Sequence, residues 1–499
     1  MPILLIVRDP KRWPLSIRGV QVVAARRYLA DPAYHKLPNA RVFNLCQSYS
    51  YRSMGYYVSL LAEARGQRPE PDVNTIQDLK SPGLVRTMTE DLDDLIQKSL
   101  RTIAHDEFTM SIYFGRTLAK RDRPLGVKLF GRFRIPLLRA EFVRRKGEWQ
   151  IRAVRAIPAS EVPRTHHDAV VEAAQEYFRR RFRIGRSSKT VRYHLAILHE
   201  PEEEEPPSDD VALRKFIRAA ARHDMNAELI TRDDSAHVGE YDALFVRATT
   251  NMNHYTYRMA RAAVADGLAV MDDPLSIARC ANKVYLAERM GLNKVPTPRT
   301  MVVYDDNVDA VIGELGLPVV LKQPDSAFSI GVVKVHDEAS YRQKVEELLA
   351  KSDAVIAQAF TPTEFDWRVG VLDGKPLYAC KYYMAKDHWQ IMKWTPGKPT
   401  RYGRCETLAV KDAPRKVIQV AVKSARLIGD GLYGVDLKSA GKKVVVIEVN
   451  DNPNLNSGIE DRVLKNELYD RIIESFIRRI ERIRGGTNGK RRRAGARTV

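Results

Sequence analysis

The 499-residue chain holds only four cysteines, Cys46, Cys280, Cys380 and Cys405. They lie far apart and without metal-ligand spacing, which indicates neither a disulfide scaffold nor a zinc site. No stretch approaches the ~18 uninterrupted apolar residues that a bilayer span requires. The apolar opening Pro2–Val7 is stopped by Arg8 and Asp9, too early for a signal-peptide core. No internal repeat is apparent. Secreted, membrane and fibrous classes are thereby excluded, and a cytoplasmic globular protein is expected. Hydrophobic residues make up 44% and charged residues 29%, ordinary values for a chain of two or three packed domains.

The net charge of +20 is unevenly spread. Ser111–Thr190 holds 20 Lys/Arg against 7 Asp/Glu, and Arg478–Val499 holds 9 against 1, so the remainder is near neutral. A basic patch and tail suit an anionic macromolecule through sequence-blind electrostatics, or simply form a solvated face. Lys490-Arg-Arg-Arg493 follows several glycines and carries no interleaved aromatics, which disfavours stacking on single-stranded bases.

Four regions are expected: an N-terminal accessory domain (1–190), an α/β domain (191–275), a larger α+β domain (276–484, in halves 276–360 and 361–484), and a basic disordered tail (485–499). The acidic, proline-rich His199–Ser208 marks a loop inside the second. Around it, Tyr193–Leu198, Ala227–Ile230 and Ala243–Val246 read as strands, with a helix capped by Asp209/Asp210 running through Ala221. Upstream, Pro2–Val7 reads as a buried strand, Tyr56–Arg65 and Asp168–Arg183 as helices. Arg132–Val143 and Glu148–Ile157 alternate on either side of Arg145-Lys-Gly147 as a hairpin. Downstream, helices are expected at Pro274–Met290, Glu338–Leu349, Pro414–Ile428 and Glu467–Arg484. Strands are expected at Thr300–Tyr304, Val319–Lys322, Ala354–Gln358, Arg368–Leu372, Pro376–Tyr383, Gly434–Ser439 and Lys443–Asn450.

Chemistry concentrates in the last two strands. Glu448 and Asn450 are two apart, so an extended strand points both to one face, and the hairpin turn sets Asp436 opposite them. Two carboxylates and an amide form an oxygen-only set that suits Mg²⁺ or Mn²⁺; the alternative is a solvated polar strand face. Lys322 leaves an apolar strand into the turn Pro324–Gly331, one way to hold nucleotide phosphates, although the loop has a single glycine. Lys283 is a second phosphate candidate, and Asp366 with Arg368 pairs an acid and a base. His105-Asp-Glu107 reads as a surface turn, His166-His167 as a capping or surface pair, and Tyr49–Tyr57 as packing against the N-terminal core.

Taken in order, these segments resemble the ATP-grasp ligases, and among them the RimK-like carboxylate–amine ligases. The resemblance runs from Asp273-Pro and Asn282-Lys283 through Val295-Pro-Thr-Pro298, Pro318–Lys322 and Ile330-Gly-Val. It continues with Ala357–Phe360, Asp366-Trp-Arg-Val, Ala379-Cys-Lys-Tyr and Gly434-Val-Asp436, and ends at Ile447-Glu-Val-Asn-Asp-Asn-Pro453. It covers about residues 195–480, and the region before 190 looks like the extra N-terminal domain of a subset of RimK-like proteins.

The resemblance implies an α/β fold in which a pre-ATP-grasp domain precedes two α+β subdomains that clasp ATP, behind a separate N-terminal α/β domain. It implies phosphate contacts from Lys283 and Lys322, adenine contacts from Gln358, Ala359 and Phe360, and nucleotide contacts from Asp366, Lys381 and Gln390. Asp436, Glu448 and Asn450 would ligate Mg²⁺ or Mn²⁺, two ions, and Arg368 or Arg404 would steady an anionic intermediate. The implied reaction is ADP-forming amide or peptide bond formation through an acylphosphate. It would join an amino acid such as glutamate to a small-molecule, peptide or protein carboxylate, in a homo-oligomer, with loop 323–331 as the lid. Two departures stand out: Ser326-Ala-Phe-Ser329 replaces the usual loop glycines, and Asn452–Gly458 departs from the family's Ser-Pro-Gly-Leu pattern, so glutamate specificity does not follow. The competing readings are an ATP-binding module that recognises nucleic acid or ribosomes through the basic patch, and an ATP-grasp enzyme with another product, such as a phosphorylated carboxylate.

Overall fold

The computed structural model describes residues 2–494 apart from 14–16, 18, 36, 38–39, 159–160, 185–190, 326–330, 396–397 and 442. Two compact units emerge. One comprises Met1–Lys189, Asp233–Glu240 and Arg484–Val499; the other comprises Thr190–Arg232 and Tyr241–Ile483. The tip of the proposed lid, 326–330, and the tail end, 495–499, lie outside the described residues. Among the described residues no helix is long and apolar enough to cross a membrane.

The first unit begins with a parallel sheet of β1 (Ile3–Val7), β2 (Gln21–Ala24), β3 (Arg41–Asn44) and β4 (Arg68–Glu70), in the order β2-β1-β3-β4. All five β1 residues are buried, as expected of a central strand covered on both faces. Ile3, Leu5 and Val7 pack into one core and Leu4 and Ile6 into another. An antiparallel sheet follows, from β5 (Glu107–Tyr113), β6 (Arg116–Thr117), β7 (Leu137–Arg145) and β8 (Glu148–Ala156), in the order β6-β5-β7-β8.

The second unit opens on a parallel sheet of β9 (Tyr193–Leu198), β10 (Met225–Ile230), β11 (Ala243–Val246) and β12 (Ala269–Met271), ordered β10-β9-β11-β12. Asp209 caps the helix Asp210–Arg222 by accepting from the Ala212 N–H. A clasp sheet of β13 (Thr300–Val303), β14 (Val319–Lys322), β15 (Val332–Val335) and β16 (Val355–Ala359) is ordered β13-β16-β14-β15. The core sheet takes β17 (Phe365–Leu372), β18 (Lys375–Tyr383), β21 (Cys405–Leu408), β22 (Leu432–Ala440) and β23 (Lys443–Asn450), in the order β21-β18-β17-β22-β23. A small hairpin, β19 (Met392–Thr395) and β20 (Lys398–Tyr402), interrupts it. Helix Arg415–Ile428 buries Val417, Ala421 and Ala425 with Val369, Val371 and Val435 on one face of the core sheet. On the other, Tyr378, Cys380 and Leu432 share a core with helices Asp210–Arg222 and Asn466–Ala494.

Several expectations change. The helix expected over Pro274–Met290 is two, Pro274–Cys280 and Lys283–Leu292, because Asn282 turns out of the helix and its side chain accepts from the Tyr285 N–H at 2.9 Å. The strand expected from Arg132 starts at Leu137. Residues 125, 129, 130 and 133 instead bury a helical stripe over Arg123–Phe133, which Arg134 ends at φ +45°. The last helix runs to Ala494, past Gly485-Gly486; glycine costs a helix about 1 kcal/mol each but removes no backbone donor. The strand order second-first-third-fourth occurs in both parallel sheets.

Candidate active site

In the β22–β23 hairpin Asp436 lies opposite Glu448 and Gly434 opposite Asn450, with a bulge between Asp436 and Leu437. Gly434 is required by its neighbours, since a Cβ there would sit 2.7 Å from the Pro453 Cβ. Asp436 faces Arg368 on β17, Arg368 faces Cys380 on β18, and Cys380 faces Thr407 on β21. Cross-strand partners share a face, so these residues form one file across the core sheet: Thr407, Cys380, Arg368, Asp436, Glu448.

The file is rich in charge. The Arg368 guanidinium clasps both Asp436 oxygens, Nε to Oδ1 at 2.7 Å and Nη2 to Oδ2 at 2.8 Å. Asn450 Nδ2 donates to the same carboxylate at 3.2 Å. Burial alone would lower the proton affinity of Arg368, but Asp436 outweighs it and holds the guanidinium more firmly protonated than usual. Lys283, the first residue of its helix, brings Nζ to 3.2 Å from Glu448 Oε1. Burial would raise the Glu448 pKa; Lys283 and Lys322 overcome that and keep it low. Two residues beyond Asp436, Lys438 donates to Asp366 at 2.5 Å and to Thr363 at 2.9 Å. Burial nonetheless pushes the Asp366 carboxyl up.

From the clasp sheet, Lys322 donates to Gln358 Oε1 at 2.9 Å, and Gln358 Nε2 donates to Thr300 Oγ1 at 3.0 Å. Burial, with Lys283 and Lys438 nearby, pushes the Lys322 ammonium down to about 8. Lys283, Lys322, Gln358 and Glu448 converge on one pocket with apolar walls from Leu286, Met290 and Ile356.

The residues singled out from sequence thus fall into three sets. Lys283, Lys322, Gln358 and Glu448 meet in the pocket; Arg368, Asp436 and Asn450 form a contiguous charged cluster that Glu448 joins across the hairpin; Asp366 sits beside Lys438. The N–H groups of Ala359 and Phe360 are spent within the fold, on Arg299 O at 2.9 Å and Pro318 O at 3.2 Å. Phe360 meets the Trp389 ring edge-on at 5.9 Å, and Gln390 pairs through Oε1 with His388. Lys381 does not join them. It opposes Trp367 rather than Arg368, which alternation places on the other sheet face, and it pairs with Glu406 at 3.5 Å. Arg404 stacks on the Tyr383 ring at 3.9 Å, apart from the file.

Sequence reasoning missed Lys438, although its spacing of two from Asp436 put it on the same face. It also missed the buried Arg247, which bonds Ser208 Oγ at 3.0 Å, Asn452 Oδ1 at 2.6 Å, Pro453 O at 2.8 Å and Pro207 O. Arg247 thereby ties the acidic loop to the segment after the metal-type strand. Glu460, likewise buried, accepts from the Tyr382 hydroxyl, and the Tyr382 ring lies 5.2 Å from the Arg368 guanidinium. No local pattern announces either contact, because the partners are distant in sequence.

Residues 25–173 match the family model of the RimK-like ATPgrasp N-terminal domain, and residues 280–476 that of the RimK-like ATP-grasp domain. Among curated relatives, a probable alpha-L-glutamate ligase 2 of Pseudoalteromonas atlantica is 24% identical over 254 residues, 50% of this chain and 81% of that protein. A D-alanine--D-alanine ligase of Neisseria gonorrhoeae is 30% identical over 165 residues, covering 32% of this chain and 54% of that protein, so the chain spans about half the length of that relative. A RimK-domain ATP-grasp protein from Sphaerobacter thermophilus aligns in structure over 56% of this chain and 98% of its own, with 20% identity and a TM-score of 0.44. With an ATP-grasp domain of this type preceded by the N-terminal domain that accompanies it, the chain belongs to the RimK-like ATP-grasp proteins.

Proposed function

We propose that the protein is an ATP-dependent, ADP-forming carboxylate–amine ligase. A carboxylate does not condense with an amine at neutral pH, because hydroxide leaves poorly; phosphorylating it supplies a good leaving group. Phosphoryl transfer asks chiefly for positioning and for neutralisation of charge spread over oxygens, and the named side chains are suited to both. Lys322 and Lys283 provide fixed positive charge for phosphates. Gln358 orients Lys322, and Asp366 would contact the nucleotide.

Asp436, Glu448 and Asn450 would hold Mg²⁺ or Mn²⁺, two ions in the family pattern. The fit is carried by the donor set, oxygen-only with two carboxylates, and by the register that sets Asp436 directly opposite Glu448 across the hairpin. When bound, the metal supplies charge neutralisation at the transferring phosphoryl group. Arg368, backed by the Tyr382 ring, would then steady the anionic intermediate. Exclusion of water would fall to the loop 323–331.

The observation that carries this reading is the file Arg368–Asp436–Glu448 running up to the pocket of Lys283 and Lys322. The substrates are an amino acid and a carboxylate on a small molecule, peptide or protein; the segment Asn452–Gly458, tied down by Arg247, borders the expected acceptor end. The macromolecule-binding alternative has no support from the relatives, which are ligases, and several cations of the basic patch are ion-paired within the fold. Arg116 binds Glu172 and Glu176, Arg139 binds Glu161, and Arg144 binds Asp106. The test is mass spectrometry of products from purified protein, ATP, Mg²⁺ and panels of amino acids and carboxylates. Release of ADP and phosphate only when carboxylate and amine are both present, with an amide product, supports the reading; turnover indifferent to either overturns it.

A further inference from the structure

The first unit follows the second through its parallel sheet and through four strands of its antiparallel sheet. Both parallel sheets have the same strand order. In both, a helix follows the third strand (Met54–Ala64, Tyr255–Ala265) and is followed by a glycine of positive φ (Gly66, Gly267). An aspartate then caps the next helix: Asp72 accepts from the Thr75 N–H, and Asp273 from those of Leu275 and Ser276. Both pairs of positions are 201 residues apart.

The antiparallel sheets match as well, β6-β5-β7-β8 corresponding to β18-β17-β22-β23. The first hairpin turns on Phe114-Gly115 in one and Asp373-Gly374 in the other, with φ positive at all four residues. Its flanking pairs correspond: Tyr113 with Arg116, and Leu372 with Lys375. One helix follows in each, Arg123–Phe133 and Arg415–Ile428. The second hairpin has a nine-residue first strand in both copies and a bulge at the same place, after Glu141 and after Asp436.

This register assigns a counterpart to every member of the metal-type set. Thr109 stands opposite Glu141 as Arg368 stands opposite Asp436. Glu141 opposes Ala153, and Arg139 opposes Arg155, as Asp436 opposes Glu448 and Gly434 opposes Asn450. Of three oxygen-bearing positions, one keeps a carboxylate, one is a methyl and one is a guanidinium. Arginine occupies the face instead: Arg152 reaches Glu107 at 2.8 Å and Glu141 at 3.2 Å, and Arg155 reaches Glu141 and Glu161 at 3.2 Å each. The clasp sheet β13–β16, source of Lys322 and Gln358, has no counterpart among the described residues. Between β4 and β5 the first unit carries the helices Val73–Asp78, Pro82–Thr89 and Asp93–Leu100.

We propose that the N-terminal unit is a second, non-catalytic copy of the ligase scaffold, whose metal face is closed by its own arginines and which takes neither divalent cation nor nucleotide. The inference rests on the ligand set read for the other half. Asp436 also meets an arginine, but there a second carboxylate and an amide complete the set. Around Glu141 neither remains, and two guanidiniums crowd the one carboxylate, which leaves too few oxygen ligands for a divalent cation. The chain then carries one nucleotide site, and the copy's part in the reaction is limited to binding or scaffolding.

The test is titration of the full chain with Mn²⁺ and AMP-PNP, read by calorimetry and by Mn²⁺ electron paramagnetic resonance. One nucleotide per chain is expected, abolished by D436N/E448Q. Two per chain, or one surviving in D436N/E448Q, overturns the proposal; none in the unaltered chain counts instead against the ligase reading. A second arm rebuilds the oxygen set with R152Q/A153E/R155N, at exposed or half-buried positions. An additional Mn²⁺ per chain in a variant with unchanged melting is expected, and its absence in that folded variant overturns the equivalence.

Discussion

Substituting Glu448→Gln tests the electrostatics of the pocket more sharply than its metal affinity. Lys322 is buried, and its ammonium is pushed down to about 8 from an ordinary 10.5. At ~1.4 kcal/mol for each factor of ten in proton affinity, burial and the neighbouring lysines disfavour its charged form by about 3 kcal/mol. Glu448 is the foremost influence acting the other way. Removing its charge therefore drives the Lys322 ammonium further down, so that its protonated fraction at pH 7.5 falls. The assay is nucleotide affinity against pH with EDTA present, which removes metal from the comparison. The unaltered protein should lose affinity as pH rises through 8. E448Q should lose it at lower pH, its deficit at pH 7.5 growing on the order of tenfold for every further pH unit that the midpoint falls. K322R, always charged, should show no such transition. An E448Q midpoint identical to that of the unaltered protein refutes the reasoning. The same group has a sign for stability: the unfolded chain binds more protons between pH 8 and 10.5, so its contribution to stability rises with pH across that window.

Arg247→Ala should cost about 3–5 kcal/mol, because it strands the buried acceptors that the guanidinium satisfies; Arg247→Lys should recover part. Urea denaturation measures both, and a loss under ~1 kcal/mol for the alanine variant contradicts the clasp. Gly434→Ala, whose Cβ would meet Pro453 at 2.7 Å, should destabilise by about 1–3 kcal/mol through overpacking and lower kcat by displacing Asp436. An unchanged kcat in the folded variant would show that the fit is loose. Asn282→Ala should cost ~1 kcal/mol as a lost cap and raise the KM for ATP through Lys283; a KM equal to that of the parent would separate cap from site.

The core sheet and its charged face were legible because both obey short periods. Glu448 and Asn450 are two apart, Asp436 faces them across a tight turn, and Lys322 ends an apolar run. What escaped was set by longer reach. Asn282 splits a helix by a side-chain hydrogen bond that hydrophobic spacing does not record. Lys381 has a plausible neighbourhood in sequence, yet strand parity sends it to the opposite face. Arg247 meets residues about forty positions before it and two hundred after it. The internal duplication was hidden because its shared features are strand order, turn conformation and bulge position, and few side chains repeat: Asp436 and Glu141 do so chemically, Glu448 and Ala153 do not.

The file from Thr407 to Glu448 draws one residue from each of five strands. Strand side chains alternate, so sliding β22 or β23 by a single position would turn its carboxylate into the aliphatic layer and bring a valine, leucine or isoleucine out in its place. For β22 the slip would push the Asp436 carboxylate among Val369, Val417 and Tyr433, at a desolvation cost of several kcal/mol. Catalytic alignment and correct strand assembly are thus a single condition, and a molecule that knits its sheet out of step is both inactive and unstable enough to unravel and try again.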